Sequence, residues 1–433
     1  MDRAEVVRAL ISLALVVALS GCGREDPPPV TGGLTTVMDS TTDTIVARVA
    51  GVVPDAALKR LVAEMRIAPG AENTSLFTET YEFVVDRRGF VWVYDVPTNS
   101  VFLFDSTGKL ARRIGRRGGG PGEFQGNRGM LILADGRLAV HDAHNARISF
   151  FSPAGDFETS WSIERSIGTL VSDAAGRLYT INAMIPRPAP GATRPRALAG
   201  DFPLSLVRML DGGAVGDTVH PPRFDVPNYT YVASHETATT ARTAATSASH
   251  TPSSMFAWHR DGFFVAGDGS KYHIVIAKTN GKPIRIARSA PLVPITEVER
   301  KSEEAGVIDA MRSVDPSWSW SGPPIPQTKA PLIELLMARD GRIWAQVPAP
   351  SERIPQDELT IDPNWKGPPP VHFRSPQIWE VYAVSGEFLG RVPLPPRARL
   401  LHADGNRVWL LERDADDLPA IVRAHIEPAL PNR

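Results

Sequence analysis

The feature that most constrains this chain is a short pattern used six times: an apolar strand, a turn containing glycine, then a second apolar strand. The turns are Asp86-Arg87-Arg88-Gly89, Ala134-Asp135-Gly136, Asp173-Ala174-Ala175-Gly176, Arg260-Asp261-Gly262, Arg339-Asp340-Gly341 and Ala403-Asp404-Gly405. The strands that open directly after them read FVWVY, RLAVH, RLYTI, FFVAG, RIWAQ and NRVWL. Asp-Gly and related pairs supply the positive φ that tight hairpins need, and the β-branched and aromatic residues beside them suit a pleated sheet. A second hairpin follows in most units, turning at Ser106-Thr107-Gly108, Pro153-Ala154-Gly155, Asp211-Gly212-Gly213, Thr279-Asn280-Gly281 and Val384-Ser385-Gly386. Each unit therefore supplies four strands. A single unit cannot cover its own apolar faces, so the units must stack on one another.

The sixth unit reaches its third strand near residues 421–425 and then runs out of chain. Residues 44–49, TIVARV, form an orphan strand ahead of the first unit and are expected to supply the missing fourth. That pairing would close a ring and leave no long edge open. The expected fold class is all-β: a six-bladed β-propeller of four-stranded blades, closed by an N-terminal strand, with loop and short-helix insertions on one face. Units such as YEFVVDRRGFVWVYDVPTNSVFLFDSTGKL and GMLILADGRLAVHDAHNARISFFSPAGDF resemble the NHL repeat, and residues 44–427 as a whole resemble the six-bladed propeller lipoproteins of bacteria. The resemblance implies a family whose members serve as protein scaffolds, RNA binders, lactonases and lyases. It therefore points to a fold and leaves the activity to be argued from a site.

Ahead of the repeats, Arg3 and Arg8 lead into an apolar run over residues 9–19, which is too short to span a bilayer as a stable helix. Residues 1–21 read as a signal peptide. Leu19-Ser20-Gly21-Cys22 resembles the bacterial lipobox, which implies that Cys22 becomes the lipidated first residue of the mature protein. Cys22 is the single cysteine of 433 residues, so the chain can form no internal disulfide. Residues 22–42, with Pro27-Pro28-Pro29 and a threonine-rich stretch, are expected to be a flexible tether, leaving residues 43–433 as the propeller domain. The protein is thus expected in the bacterial cell envelope, lipid-anchored to a membrane and facing outside the cytoplasm. Charge is balanced, with 47 Lys+Arg against 48 Asp+Glu, so no global field draws the chain to nucleic acid. The expected partner is a protein, peptide or small-molecule ligand.

In an up-and-down blade the first-to-second and third-to-fourth turns share one face, while the second-to-third loops and the crossovers between blades share the other. The long segments, residues 183–203, 220–255, 289–331 and 347–376, all fall on the second face. One plain face and one elaborated face direct binding to the elaborated one. The stretch RRGGGPGEF, residues 116–124, is a crossover on that face. It lacks the helix that a dinucleotide-binding loop needs after its glycines, and the Gly-Lys-Ser/Thr of a P-loop. Its glycines read as turn formers, with Arg116 and Arg117 left as a basic patch for solvent or an anion.

His141 and Asp142 end an inner strand on the same face and are candidate binding residues. His141, His259 and Asp268 are also weak candidates for a divalent metal, without the compact spacing of zinc sites; polar residues capping strand ends explain them without a metal. Residues 237–254, rich in Ser, Thr and Ala, read as a flexible loop. Residues 296–314 carry a capping box, Thr296 with Glu299, and apolar Val298, Ala305, Ile308 and Met311, which predicts a short amphipathic helix. Trp318 and Trp320 follow it, placed either to grip a peptide or sugar or to pack the inserts onto the blades. No Gly-x-Ser-x-Gly elbow occurs, and no cofactor is expected. The first reading is a binding scaffold acting through the insert-bearing face. The alternative is a lyase or lactonase-like hydrolase with a divalent metal in the central channel, drawing on polar strand ends such as His141 and His402.

Overall fold

A computed structural model describes residues 34–41, 43–54, 57–69, 79–80, 82–163, 168–183, 204–236, 241–359 and 371–432. The signal peptide and Cys22 lie outside the described residues. Three strands precede the repeats: β1 (Thr35–Ser40), β2 (Ile45–Ala50) and β3 (Arg60–Ile67). Each repeat unit then becomes one antiparallel blade. Blade 1 is Phe83–Val85, Val91–Asp95, Ser100–Phe104 and Leu110–Ile114, and blade 2 is Asn127–Ile132, Leu138–Asp142, Arg147–Phe151 and Phe157–Ser162. Blade 3 is Leu170–Ser172, Leu178–Ala183, Leu204–Met209 and Val215–Val219, and blade 4 is Ser254–His259, Phe263–Asp268, His273–Ala277 and Ile284–Arg288. Blade 5 is Glu334–Met337, Ile343–Val347, Ile378–Tyr382 and Phe388–Pro393. Blade 6 is Ala398–Asp404, Arg407–Arg413 and Pro419–Glu427, completed by β3.

The middle strands are buried on both faces because every blade is sandwiched between two others. Val91–Asp95, Ser100–Phe104 and Leu138–Asp142 are buried at every position, whereas the outer strand Phe157–Ser162 is almost wholly exposed. This is why the inner sequences read as unbroken apolar runs and the outer ones as polar alternation. An apolar cluster fills each junction around the ring, from blades 1 and 2 (Trp92, Val140) to blades 6 and 1 (Trp409, Val93). Trp92, Trp344, Trp379 and Trp409 are buried between blades, and Trp258 packs against Tyr179 and Phe264 where blades 3 and 4 meet. Each such side chain withdrawn from water stabilises by about 1.5–3 kcal/mol.

The strand that closes the ring is β3, not residues 44–49. It pairs antiparallel with the third strand of blade 6, from Arg60 opposite Glu427 to Ile67 opposite Ile421. An outer strand has one covered face. β3 turns Met65 and Ile67 inward, while Arg66 pairs with Glu412 and Glu64 with Arg423 on the open face. Residues 44–49 instead belong to β2, which runs parallel to the outer strand of blade 4 and buries Val46, Ala47 and Val49 there. β1 then adds to β2, so the expected tether gives way to ordered strand from Thr35. Between β2 and β3, the Lys59 N–H donates to the Arg391 carbonyl on the outer strand of blade 5 (2.8 Å). The N-terminal segment therefore straps the rims of blades 4, 5 and 6.

On the elaborated face, helix α1 (Glu297–Arg312) begins as predicted, with the Thr296 side chain accepting from the Glu299 N–H at 3.2 Å. Its buried face differs from the expected one. Val298 is 59% exposed, and Glu299 is buried in its place because it joins a polar network under the inserts. Residues 241–247, expected within a flexible loop, form a strand paired with Thr230–Glu236. This insert hairpin is held because Tyr231 and Ala233 pack with Val307, Met311 and Trp318 in a small core of their own. No helix among the described residues is long and apolar enough to cross a membrane.

Candidate functional site: an arginine-lined cleft on the insert face

The glycine-rich crossover folds back on itself over buried Phe124. The Gly118 N–H donates to the Phe124 carbonyl and the Phe124 N–H to the Arg116 carbonyl, both at 2.9 Å. Glu123 turns its carboxylate into the loop, accepting from the Gly120 N–H (2.8 Å) and from Arg116 Nε (2.7 Å). Arg147 caps the Gly119, Gly120 and Glu123 carbonyls. The loop's own carboxylate thus fills the place an anion would take in a phosphate cradle, and the glycines serve the turn. Arg116 is tied to Glu123, and Arg117 is exposed beside it.

Asp142 is wholly buried and fastens this crossover, accepting from the Gln125 and Gly126 N–H groups and from Asn145 Nδ2. Such an acceptor on a strand end settles backbone donors that would otherwise be buried and unpaired. His141 beside it is also buried, and burial first, with Arg128 nearby, pushes its pKa down to about 4.

The three metal candidates do not come together. His259 lies at the plain-face end of its strand, stacked on Phe263 at 4.1 Å with Nδ1 accepting from the Asp261 N–H. Asp268 ends the next strand on the opposite face and accepts from the Ser270 N–H and hydroxyl, while His141 belongs to blade 2. His259 ends a first strand whereas His141 and Asp268 lie at the ends of second strands, and alternate strand ends go to opposite faces. Among the described residues no group of three or more His, Cys, Asp or Glu is arranged to hold a metal ion. Trp318 is buried, donating Nε1–H to the Val232 carbonyl at 2.9 Å, and Trp320 lies against Tyr231. Both belong to the core of the insert hairpin, away from the crossover that carries Arg116 and Arg117.

Polar chemistry converges elsewhere, in a cleft of about 410 Å³ between blades 5 and 6. Its walls are the crossover with Leu394, Pro395, Pro396, Arg397 and Arg399, the blade 5 insertion with Glu352, Arg374, Ser375 and Pro376, and Leu411 and Arg413 at the end of a blade 6 strand. Four arginines line it against the single carboxylate of Glu352. Carboxylates hold three of them, with Glu352 itself 3.7 Å from Arg374 and the Asp417 carboxylate 3.3 Å from Arg413. Arg374 pairs with Glu358 at 2.6 Å, Arg397 with Asp417 at 3.0 Å, and Arg413 donates to the Asp417 carbonyl at 2.8 Å. Arg397 and Asp417 both take positive φ, 59° and 62°, a left-handed backbone that costs roughly 1–2 kcal/mol for a residue with a Cβ. A second lobe of about 460 Å³ continues past Arg374, Arg397 and Arg413 to Asp357, Glu358 and Asp414.

Arg399 lies on the innermost strand of blade 6 opposite Leu411 and is exposed. Glu334 opens the innermost strand of blade 5, and Glu82 directly precedes that of blade 1. Burial lifts the pKa of both carboxyls, and the Arg399 charge opposes that rise in each. Arg399 thus stands between two carboxyls, Glu334 and Glu82, at the starts of neighbouring innermost strands. Sequence reasoning missed this site because its residues come from three segments, each unremarkable alone. The signal that was available is the PLPPRAR run, residues 393–399, where prolines stiffen a crossover that carries two arginines.

The model of a family described as a 6-bladed beta-propeller matches residues 79–162, which cover blades 1 and 2. No curated protein matches the chain. Among solved structures, a candidate exported protein from Bacteroides fragilis aligns with 9% identity and a TM-score of 0.47, covering 89% of this chain and 99% of its own. Virginiamycin B lyase from Staphylococcus aureus aligns with 10% identity and a TM-score of 0.38, covering 85% and 99%. A gluconolactonase from Xanthomonas campestris aligns with 11% identity and a TM-score of 0.38, covering 86% and 97%. The blades, their register and the matched segment together identify the chain as an all-β, six-bladed propeller of four-stranded blades.

Proposed function

We propose that this protein is a lipid-anchored propeller of the bacterial cell envelope that binds an anionic ligand in the cleft between blades 5 and 6. The observation that carries the reading is the convergence of Arg374, Arg397, Arg399 and Arg413 on one proline-walled cleft. Guanidinium groups match carboxylate, phosphate and sulfate oxygens with paired N–H donors and stay charged at any physiological pH. The apolar walls, Leu394, Leu411 and the prolines, suit a small molecule or peptide end that carries the anionic group. Placement outside the cytoplasm rests on Leu19-Ser20-Gly21-Cys22.

A thermal-shift series with carboxylates, phosphate esters and sulfate esters at constant ionic strength tests the binding claim. One class should raise the melting temperature, and Arg397→Ala or Arg399→Ala should abolish that rise. A charged hydrogen bond is worth about 1.5–3 kcal/mol, so each variant should weaken binding about 10-fold to 100-fold. Equal response of wild type and both variants would remove the cleft from consideration. For the anchor, Cys22→Ala should move the protein from the membrane fraction to the soluble envelope fraction.

A further inference from the structure

We infer that Ser375, at the floor of the cleft, is a nucleophile activated by His250 and forms an acyl-enzyme with carboxylic esters that carry an anionic group. A polar network joins the inserts beneath the cleft. Lys329, on the crossover from blade 4 to blade 5, is buried, and its Nζ donates to the Ala349 carbonyl (2.7 Å), Ser351 Oγ (2.6 Å) and Ser375 Oγ (2.6 Å). These three bonds use every proton of an ammonium group. Ser351 gives its own proton to Glu299 Oε1 at 2.5 Å. Ser375 Oγ lies 3.0 Å from His250 Nε2 and 2.9 Å from Ser351 Oγ. The imidazole is the stronger acceptor, so the Ser375 hydroxyl donates to Nε2 and His250 carries its proton on Nδ1. Burial first, then the Lys329 charge, lowers the His250 pKa against the opposing charges of Glu303 and Glu299, which favours the neutral form that can accept that proton.

This is the pairing a nucleophilic serine requires: a base on the proton and a cation beside the oxygen. A network that only fastened the inserts together would need neither of two further features. Ser375 opens onto the cleft, and His250 is held at φ 60° with its carbonyl accepting from the Ala330 N–H at 2.8 Å. Backbone strain of that kind persists where the surroundings over-determine a functional geometry.

In the reaction, Ser375 Oγ bonds to the ester carbonyl carbon as its proton passes to His250 Nε2. The carbon–oxygen bond to the leaving alcohol then breaks, and that alcohol takes the proton. Water adds to the acyl group and gives a proton to His250, the bond to Ser375 breaks, and Ser375 recovers the proton. Ester and water become acid and alcohol. The choice of an anionic ester rests on the arginine cleft proposed above, while the nucleophile does not.

An uncharged fluorophosphonate probe separates the two. With the full chain in detergent, one phosphonyl adduct is expected by intact mass, mapped to the peptide that contains Ser375. Ser375→Ala should lose it while still unfolding cooperatively, at a lower temperature because one proton of buried Lys329 is left unpaired. His250→Asn, which tolerates the left-handed backbone, should slow labelling about 100-fold. The rate should hold through the ordinary histidine value of about 6.5 and fall only at lower pH, because the His250 pKa is depressed. A folded wild type that takes no label at Ser375, or a Ser375→Ala variant labelled as fast, overturns the inference. Anion binding without labelling overturns the nucleophile and leaves the cleft reading. Labelling without anion binding overturns the anionic substrate and leaves the nucleophile.

Discussion

His141 and His402 each make the fold sensitive to acid. Both have pKa values pushed down to about 4, by burial first, with Arg128 near His141 and Arg339 near His402. Both are neutral when folded and take up a proton near pH 6.5 when unfolded. The unfolded chain therefore binds more protons between about pH 6.5 and 4, so their contribution is fully present above 6.5 and is lost as pH falls through that window. For His141 the shift corresponds to roughly 3 kcal/mol. His141→Leu, close in volume and without a proton to bind, should flatten the fall in unfolding free energy over that range. Urea titrations at pH 6.5 and 4.5 measure it, and an unchanged slope would show that His141 does not bear the load. Gly115 makes a separate demand. It sits at φ 71°, and an added Cβ would meet the Gly122 carbonyl at 2.7 Å and the Phe124 ring. Gly115→Ala should cost about 1–3 kcal/mol or more, seen as a lower melting temperature. That glycines in this crossover serve a turn was legible in the sequence. That Glu123 fills the loop was not, because RRGGGPGEF shows a net basic stretch and gives no sign that the carboxylate points inward.

At the scale of elements, the Gly-turn repeats mark the first hairpin of all six blades, since φ > 0 at the turn and doubly buried strands leave direct traces in sequence. The closing strand left a weaker trace. RLVAEMRI alternates charge with apolar residues because one face of an outer strand meets solvent, whereas TIVARV looks more β-like but serves a rim. Deleting residues 34–50 should therefore lower the melting temperature, through loss of buried Val46, Ala47 and Val49, yet leave a cooperative transition and a native circular dichroism spectrum. Deleting residues 34–67 removes β3 and should abolish the cooperative transition. If both deletions behave alike, β3 does not close the ring. The insert hairpin was hidden for a related reason: Ser, Thr and Ala alternate in Ala241–Ser247, and only the packing of α1 over its partner strand shows that this composition is structured.

Across the whole molecule, the elaborated face was legible from insert placement alone, but the site on it was not. Its arginines are brought together by the ring, which sets a crossover, an insertion and a strand end side by side, and no spacing rule links residues 352, 374, 399 and 413. The residues singled out in the sequence occupy two separate places: Arg116, Arg117, His141 and Asp142 at the glycine-rich crossover and the strand end that fastens it, and Trp318 and Trp320 in the insert packing. The account stands on the cleft between blades 5 and 6. Its most direct test is a calorimetric titration of the full chain with the anion that gives the largest thermal shift, repeated on Arg399→Ala. Saturable binding near one ligand per chain, weakened about 10-fold to 100-fold by the variant, is the predicted result. Saturable binding that Arg399→Ala leaves intact would place the ligand elsewhere on the molecule and contradict the account.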